Sequence, residues 1–340
     1  GIGFISMLGW GNAVTILPEM MYRQFGDEEA LPRQYESMKL FVEAEIRKMG
    51  KKNLWIGPSL GDWLAMGKGI AWQAMHNNPV SNAFIVHDLK VISETAERLG
   101  KREDAARYRR QLAATTDAYI KKFVSKNGIV AKDYQSAYIM ALKFVLPEGE
   151  LREMVKKNFV ANIRKNGLQT GFFATEHLLP LLVEAGEQKL AYDVLLQENC
   201  PGWMYQVKCG ATTTWERWDA LKPDGTVNEE KMAGSGENMV SFNHYAFGSV
   251  GEFYYQYILG IRPEKPGFAK LHFAPYPDER LGGVSGSYLS VAGKIESAWR
   301  YEPDGCHIRL ATPVEAVVLL PDGRSENVPA GTYEWTVKRP

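Results

Sequence analysis

Apolar residues recur at spacings of three and four over most of the chain. Leu31, Tyr35, Met38, Val42, Ile46 and Met49 form one run, which Gly50 stops. Ile85, Leu89, Ile92, Ala96 and Leu99 form a second that ends at Gly100, and Ala105, Tyr108, Leu112, Tyr119 and Phe123 follow at once as a third. Further runs are Leu151, Val155, Phe159 and Ile163, then Leu178, Leu182 and Ala185 closed by Gly186, then Leu190 and Val194. This period puts the apolar side chains on one side of an α-helix, and the glycines are the expected stops. Links such as "RLGKRED" and "EAGEQ" are short, which makes consecutive helices antiparallel neighbours. Longer aromatic-rich segments at 51–80, 166–176 and 199–240 separate the hairpins. Hairpins stacked around an axis form a toroid with the longer segments gathered at one end. About nine or ten helices precede residue 260, whereas a closed six-hairpin toroid needs about twelve, so the pattern predicts further helices upstream.

After Leu259-Gly260 the helical period disappears. Turn signals arrive at short intervals, Pro-Asp-Gly at 303–305 and 321–323 and Pro-Ala-Gly at 329–331, with alternating runs such as Cys306, Ile308 and Leu310 between them. The expected fold is therefore mainly α. An (α/α)6 toroid of helical hairpins, incomplete at its N-terminus, covers residues 1–260, and a small antiparallel β-sandwich covers 261–340. The Pro-rich "GIRPEKPGF" marks the junction.

Composition narrows the partners. Lys plus Arg and Asp plus Glu each number 40, so the formal net charge is zero and nothing electrostatic favours nucleic acid or an anionic membrane. No run approaches the roughly 18 apolar residues of a membrane span. Cys200, Cys209 and Cys306 lack zinc-like spacing and read as free thiols. The opening "GIGFISMLGW" has no initiator Met and no charged lead-in. It reads as domain interior, so residues 1–25 are expected against an apolar surface or another chain that supplies it. The compartment stays open between cytoplasm and periplasm or secretion.

Nine Trp, sixteen Tyr and fourteen Phe exceed ordinary packing needs, and several stand beside carboxylates in non-helical stretches. The sharpest is "GATTTWERWD", 210–219. Its threonines favour extended backbone, which would put Glu216 on one face with Thr214 and Trp218 and turn Trp215 and Arg217 the other way. A carboxylate bracketed by indoles suits a sugar site, because sugar C–H faces stack on Trp while the carboxylate activates water. An ordinary surface strand with ion-paired Glu216 and Arg217 fits the same ten residues. "LWIGPSLGDWLAMG" offers Asp62 and Trp63, which also fit a helix cap and a packing indole. "SFNHYAF" offers His244, "LGWGNAV" places Trp10 at the start of the first helix, and "NGLQTGFFATEHLLP" offers Thr170. There is no P-loop, G-x-G-x-x-G, H-E-x-x-H or D-D-x-x-D, so no nucleotide, haem, metal or other cofactor is expected.

Taken in order, "GWGNAVTILPEMMYRQFGD", "GDWL", the stretch from "TGFFATEHLLP" to "TTTWERWD", "SFNHYAFGSVGEFYYQYILGIRPEKPGF" and "GSYLSVAGKIESAWRYE" resemble the α-L-rhamnosidases of glycoside hydrolase family 78. That resemblance implies an (α/α)6 barrel with a C-terminal β-sandwich, and hydrolysis of terminal α-L-rhamnosyl groups with inversion. It makes Glu216 the general base, puts Trp10, Trp63 and His244 at sugar-contacting positions, and places Asp62, Trp215, Arg217 and Trp218 in the same motifs. The expected partner is a rhamnose-containing glycoside or oligosaccharide. The family's general acid lies in a "D-E-R-x-G-W-T-G-D"-like motif upstream of "GWGNAV", and no such motif occurs in these residues. The resemblance therefore implies that this chain carries the base half of the site, with the acid on a missing N-terminal segment or a second chain. Should the chain alone prove active, Asp62 and Glu237 are the carboxyls to consider. Another helical-toroid glycosidase, a polysaccharide lyase and a non-catalytic carbohydrate-binding protein remain as alternatives.

Overall fold

A computed structural model describes residues 8–229 and 240–338. It divides into two compact units. The first comprises residues 1–16 and 35–249, the second residues 17–34 and 250–340.

The first unit is built of helices. They are α1 (Ala13–Phe25, shared with the second unit), α2 (Ala30–Met49, entering from Tyr35), α3 (Ile70–His76), α4 (Asn78–Arg98), α5 (Arg102–Phe123), α6 (Gln135–Met140), α7 (Glu150–Asn166), α8 (Phe172–Glu184), α9 (Gln188–Leu195) and α10 (Trp203–Lys208). The glycine stops act as the sequence predicts. At Gly100 (φ 70°) the Lys101 N–H reaches back to Ala96 O at 2.8 Å, and at Gly186 (φ 77°) the Glu187 N–H reaches Leu182 O at 2.8 Å. Both are helix ends closed by a left-handed residue, a conformation that a Cβ disfavours. The antiparallel pairs α4–α5 and α8–α9 follow from these tight reversals. Residues of α4, α6 and α8 are buried on nearly every side, and these three helices contact one another. In α5 only Ala105, Tyr108, Thr115 and Tyr119 are buried. The two kinds of helix thus form an inner layer, covered all round, and an outer amphipathic one. Among the described residues no helix is long and apolar enough to cross a membrane. The three cysteines are free.

One stripe differs from its prediction. On α2 the buried series is Leu31, Tyr35, Met38, Val42, Glu45 and Met49, so Glu45 rather than Ile46 enters the core. It meets Asp88 of α4, which is also fully buried. Asn12 donates to both carboxyls and the Thr15 hydroxyl donates to Asp88 at 2.5 Å. Burial first, then the neighbouring Asp88 charge, push the Glu45 carboxyl well above the usual range. A carboxyl raised in this way binds its proton more tightly in the fold than in the unfolded chain. Its stabilisation is complete below an unfolded value of about 4.3 and is lost as the pH climbs through the folded value. In that window the slope approaches about 1.4 kcal/mol per pH unit. Glu45→Gln should flatten it, so the urea midpoint of the variant should gain on that of the parent as the pH rises above about 5. Parallel pH profiles would refute the raised Glu45 carboxyl.

The second unit carries two four-stranded sheets, one in the order β1 (Ile261–Lys265), β2 (Lys270–Phe273), β6 (Ala316–Leu319), β7 (Ser325–Val328), the other β3 (Gly283–Ser290), β4 (Gly293–Glu302), β5 (Gly305–Thr312), β8 (Gly331–Val337). All neighbours are antiparallel except β2 and β6, which pair parallel, a departure from the purely antiparallel expectation. Leu271, Phe273, Ile295, Trp299, Ile308 and Leu310 are buried at alternate strand positions. Trp299 Nε1 donates to Ile258 O at 2.7 Å and Ser297 Oγ to Leu259 O at 2.6 Å, so the last turns after α11 (Val250–Phe253) anchor this unit. The end of α1 belongs here too: Gln24 Nε2 donates to the Tyr288 hydroxyl at 2.7 Å. Leu17, Met20 and Phe25 of that helix remain exposed.

Candidate active site

Alternating helix directions put the starts of α4, α6 and α8 and the ends of α5, α7 and α9 at the same end of the first unit. The longer loops that carry the sequence motifs are therefore gathered there.

Asp62 and Trp63 form its floor. The Asp62 carboxylate accepts the N–H of Gly171 at 2.8 Å, Phe173 at 2.7 Å and Ala174 at 3.1 Å. It is a helix cap, as one reading of the sequence had it. The capped helix is α8, though, more than a hundred residues away. These donors and the helix N-terminus favour the charged carboxylate, while full burial pushes it above the ordinary carboxylate range and prevails. Trp63 O accepts the Phe172 N–H at 3.1 Å, and a Cβ at Gly171 would run into that carbonyl. The "GDW" and "TGFF" segments thus clasp each other through backbone.

Trp10 does not begin a helix. It lies in the turn before α1, half-buried, with its indole N–H on Gly61 O at 3.2 Å. Its ring centroid is 4.9 Å from that of Phe173 and 6.0 Å from that of Phe172. Phe172 in turn stands 4.8 Å from the His244 ring and 5.6 Å from Phe247. A row of Trp10, Phe172 and His244 results, continued by the exposed Tyr245 stacked on His244.

The "TTTWERWD" segment lies against "SFNH". His244 N donates to Thr214 O at 2.8 Å, the Thr214 hydroxyl to His244 O at 2.6 Å, and Glu216 N to Ser241 O at 2.9 Å. These bonds bring Glu216 to the side of the aromatic row. The carboxylate of Glu216 is half-buried, and among the described residues no side chain bonds or pairs with it.

Strict alternation past Thr214 does not occur. Trp215, Arg217 and Trp218 are all buried, because the chain turns after Glu216 instead of running on as a strand. Trp218 stacks on Phe247 at 3.8 Å, meets Trp203 edge-on at 5.0 Å, and donates its indole N–H to Thr170 O at 2.9 Å. Trp215 packs edge-on to Phe242 and Tyr205, and Arg217 pairs with Asp219 at 3.1 Å. Neither indole offers a free face. Both wedge the loop that presents Glu216, and the Thr170 hydroxyl is likewise occupied, bonding Thr175 at 2.7 Å. Trp10, Asp62, Trp63, Glu216 and His244 are brought together, with Trp215, Arg217 and Trp218 behind them. Glu237 lies outside the described residues. Sequence reasoning missed Phe172 and Gly171, for which the adjacent "GFF" was the available signal.

Residues 4–258 match the bacterial alpha-L-rhamnosidase six-hairpin glycosidase domain, and residues 260–333 the bacterial alpha-L-rhamnosidase C-terminal domain. An alpha-L-rhamnosidase of an Alteromonas species is 34% identical over 314 residues, covering 90% of this chain and 33% of that protein. One from Formosa agariphila is 32% identical, with 96% of this chain and 35% of that protein covered. The crystal structure of the Streptomyces avermitilis alpha-L-rhamnosidase complexed with L-rhamnose superposes with a TM-score of 0.89 at 29% identity, over 98% of this chain and 33% of that one. The chain thus spans about a third of the length of the curated relatives it matches.

Proposed function

Because the chain belongs to the bacterial α-L-rhamnosidase family with a six-hairpin glycosidase domain, we propose that it carries the base side of a site hydrolysing terminal α-L-rhamnosyl groups. In this reading residues 1–260 supply the catalytic domain and 261–340 the accessory sheets. The observation that carries it is half-buried Glu216, whose carboxylate has no partner among the described residues and whose loop is held by backbone pairing beside the row of Trp10, Phe172 and His244. Rings in that row give the apolar face of a deoxy sugar a surface to lie on, and His244 adds a hydrogen-bonding edge. Trp63, buried next to Asp62, supports the row through its backbone bond to Phe172. Asp62, Trp215, Arg217 and Trp218 act from beneath by fixing the loops.

Glu216 would take a proton from a water on one side of the sugar, and that water would attack the anomeric carbon as the glycosidic bond breaks. A second carboxyl, supplied from outside these residues, would protonate the departing oxygen. Inversion needs the two carboxyls roughly 6.5–9.5 Å apart, so that the water fits between. A panel of nitrophenyl glycosides tests the reading. The α-L-rhamnoside should be cleaved with inversion, and uronides and α-L-fucosides should be inert. Elimination from a uronate-containing oligosaccharide, seen as a 4,5-unsaturated uronate product, would replace it with a lyase. If the 340-residue chain is assayed without the acid, natural rhamnosides should fall by about 10²–10⁴ relative to the whole protein. Nitrophenyl rhamnosides, whose leaving group needs little protonation, should fall much less. Turnover of a natural rhamnoside by the 340-residue chain alone, comparable to that of ordinary glycosidases, would put the acid within the chain.

A further inference from the structure

A groove of about 880 Å³ opens at the same end of the helical unit, and neither the base nor the aromatic row uses it. Lys68, Lys121, Lys122 and Lys132 line it, and among the described residues Asp133 is its only acidic lining residue. The Asp133 carboxylate is engaged by the Tyr138 hydroxyl at 3.0 Å. Among the described residues none of the four ammonium groups has a carboxylate partner. Lys68 Nζ lies over the Trp72 ring at 4.6 Å, and Trp72 stacks on His76 at 4.4 Å, so the indole holds cationic and polar groups at the wall. Between them the lining is apolar, including Phe123, Ile129 and the 75%-exposed Met75.

The rim is strained. Ala131, Lys132 and Asp133 have φ values of 45°, 58° and 71°, three consecutive non-glycine residues in the left-handed region. Such a run costs energy at each residue and persists only where neighbours over-determine it, commonly at ligand clamps. Here Ala131 N donates to Phe123 O at 2.8 Å and Asn162 Nδ2 to Asp133 O at 3.0 Å. The effect is to hold Lys132 on the groove.

The groove shares two loops with the Glu216 site. Gln169, in its lining, precedes Thr170, whose carbonyl holds Trp218. Lys68 closes the loop that begins at Trp63, and Gln73 spans that loop with bonds to Leu64 N at 3.1 Å and Lys68 O at 2.6 Å.

We propose that this groove receives an anionic saccharide unit adjoining the terminal rhamnose, one bearing a carboxylate or a sulfate ester. The inference rests on the rhamnoside reading for the neighbouring unit. An uncompensated cluster of lysines around a half-apolar cavity suits a sugar ring with a negative substituent and gives a neutral one no advantage.

Calorimetry in a Glu216→Gln background, where cleavage is suppressed, tests it with four ligands. They are a disaccharide of L-rhamnose linked to a uronic acid, its methyl ester, a sulfated counterpart, and methyl α-L-rhamnoside. An anionic disaccharide should bind about tenfold more tightly than the ester at low salt, and the gap should close in strong salt. Whichever anion binds more tightly identifies the substituent. A Lys121→Gln/Lys122→Gln double variant should lose most of the gap and bind methyl α-L-rhamnoside as before. Both lysines are exposed, so the fold should be unaffected. Lys68→Gln should act in the same direction. Equal binding of acid, sulfate and ester, or a gap that survives the lysine changes, would overturn the proposal. Failure of methyl α-L-rhamnoside itself to bind would instead overturn the rhamnoside reading, and this inference with it.

Discussion

Glu216→Gln is expected to lower rhamnoside hydrolysis by the whole protein by about 10²–10⁴, equivalent to roughly 3–5 kcal/mol of barrier. The amide keeps the shape of the carboxylate but cannot take a proton from water. The fold should be untouched, because the side chain makes no described bond and its loop is held by the Glu216–Ser241 and Thr214–His244 backbone pairs. The loss should therefore fall on kcat, with KM nearly constant, since the interaction removed belongs to the transition state. An unchanged kcat, or a loss confined to KM, would take Glu216 out of the base role.

Asp62→Ala is expected to destabilise the helical unit by about 3–4 kcal/mol, as read from urea midpoints. The change strands three N–H groups at the start of α8 in a buried place and leaves a void. Activity should fall further than stability alone explains, because the carboxylate fixes the start of α8, where the Phe172 N–H meets Trp63 O and the Phe172 ring joins Trp10 to His244. Asp62→Asn, which keeps an acceptor oxygen and the volume, should cost roughly half as much. A loss below about 1 kcal/mol for the alanine variant would mean that water replaces the carboxylate, and that the clasp between residues 62–63 and 171–174 stands without it.

Much of the architecture was legible in local pattern. The helices end where glycines interrupt a period of three to four, and the strands follow Pro-Asp-Gly turns. Those signals depend on residues a few positions apart, and the torsions they demand are set by neighbours along the chain. The motif residues were legible as candidates for the same reason: carboxylates beside aromatics outside helices are conspicuous in composition. What each one does was not. The "TTTWERWD" run obeys extended alternation only if nothing else competes for its indoles. In the fold Phe247 and Trp203 take Trp218, and Phe242 and Tyr205 take Trp215, so burial overrides the local preference for a strand. Glu45 illustrates the same limit on α2. One position of drift in the stripe exchanges an isoleucine for a carboxyl, whose surroundings there, Asn12 and Asp88, come from other parts of the chain.

By itself, then, the sequence determined the class of fold, the helical stops, the change of texture near Gly260 and the set of side chains from which a sugar site could be assembled. Tertiary structure alone decided that Asp62 caps α8, that Phe172 stands between Trp10 and His244, that the indoles on either side of Glu216 are both buried, and that lysines without a carboxylate partner among the described residues line a separate groove. The reason is physical. Torsional preference and hydrophobic period act within a turn or two of chain, whereas the capping bonds, ring contacts and buried carboxyl pair join residues dozens to more than a hundred positions apart. Their energies appear only once the helices have packed.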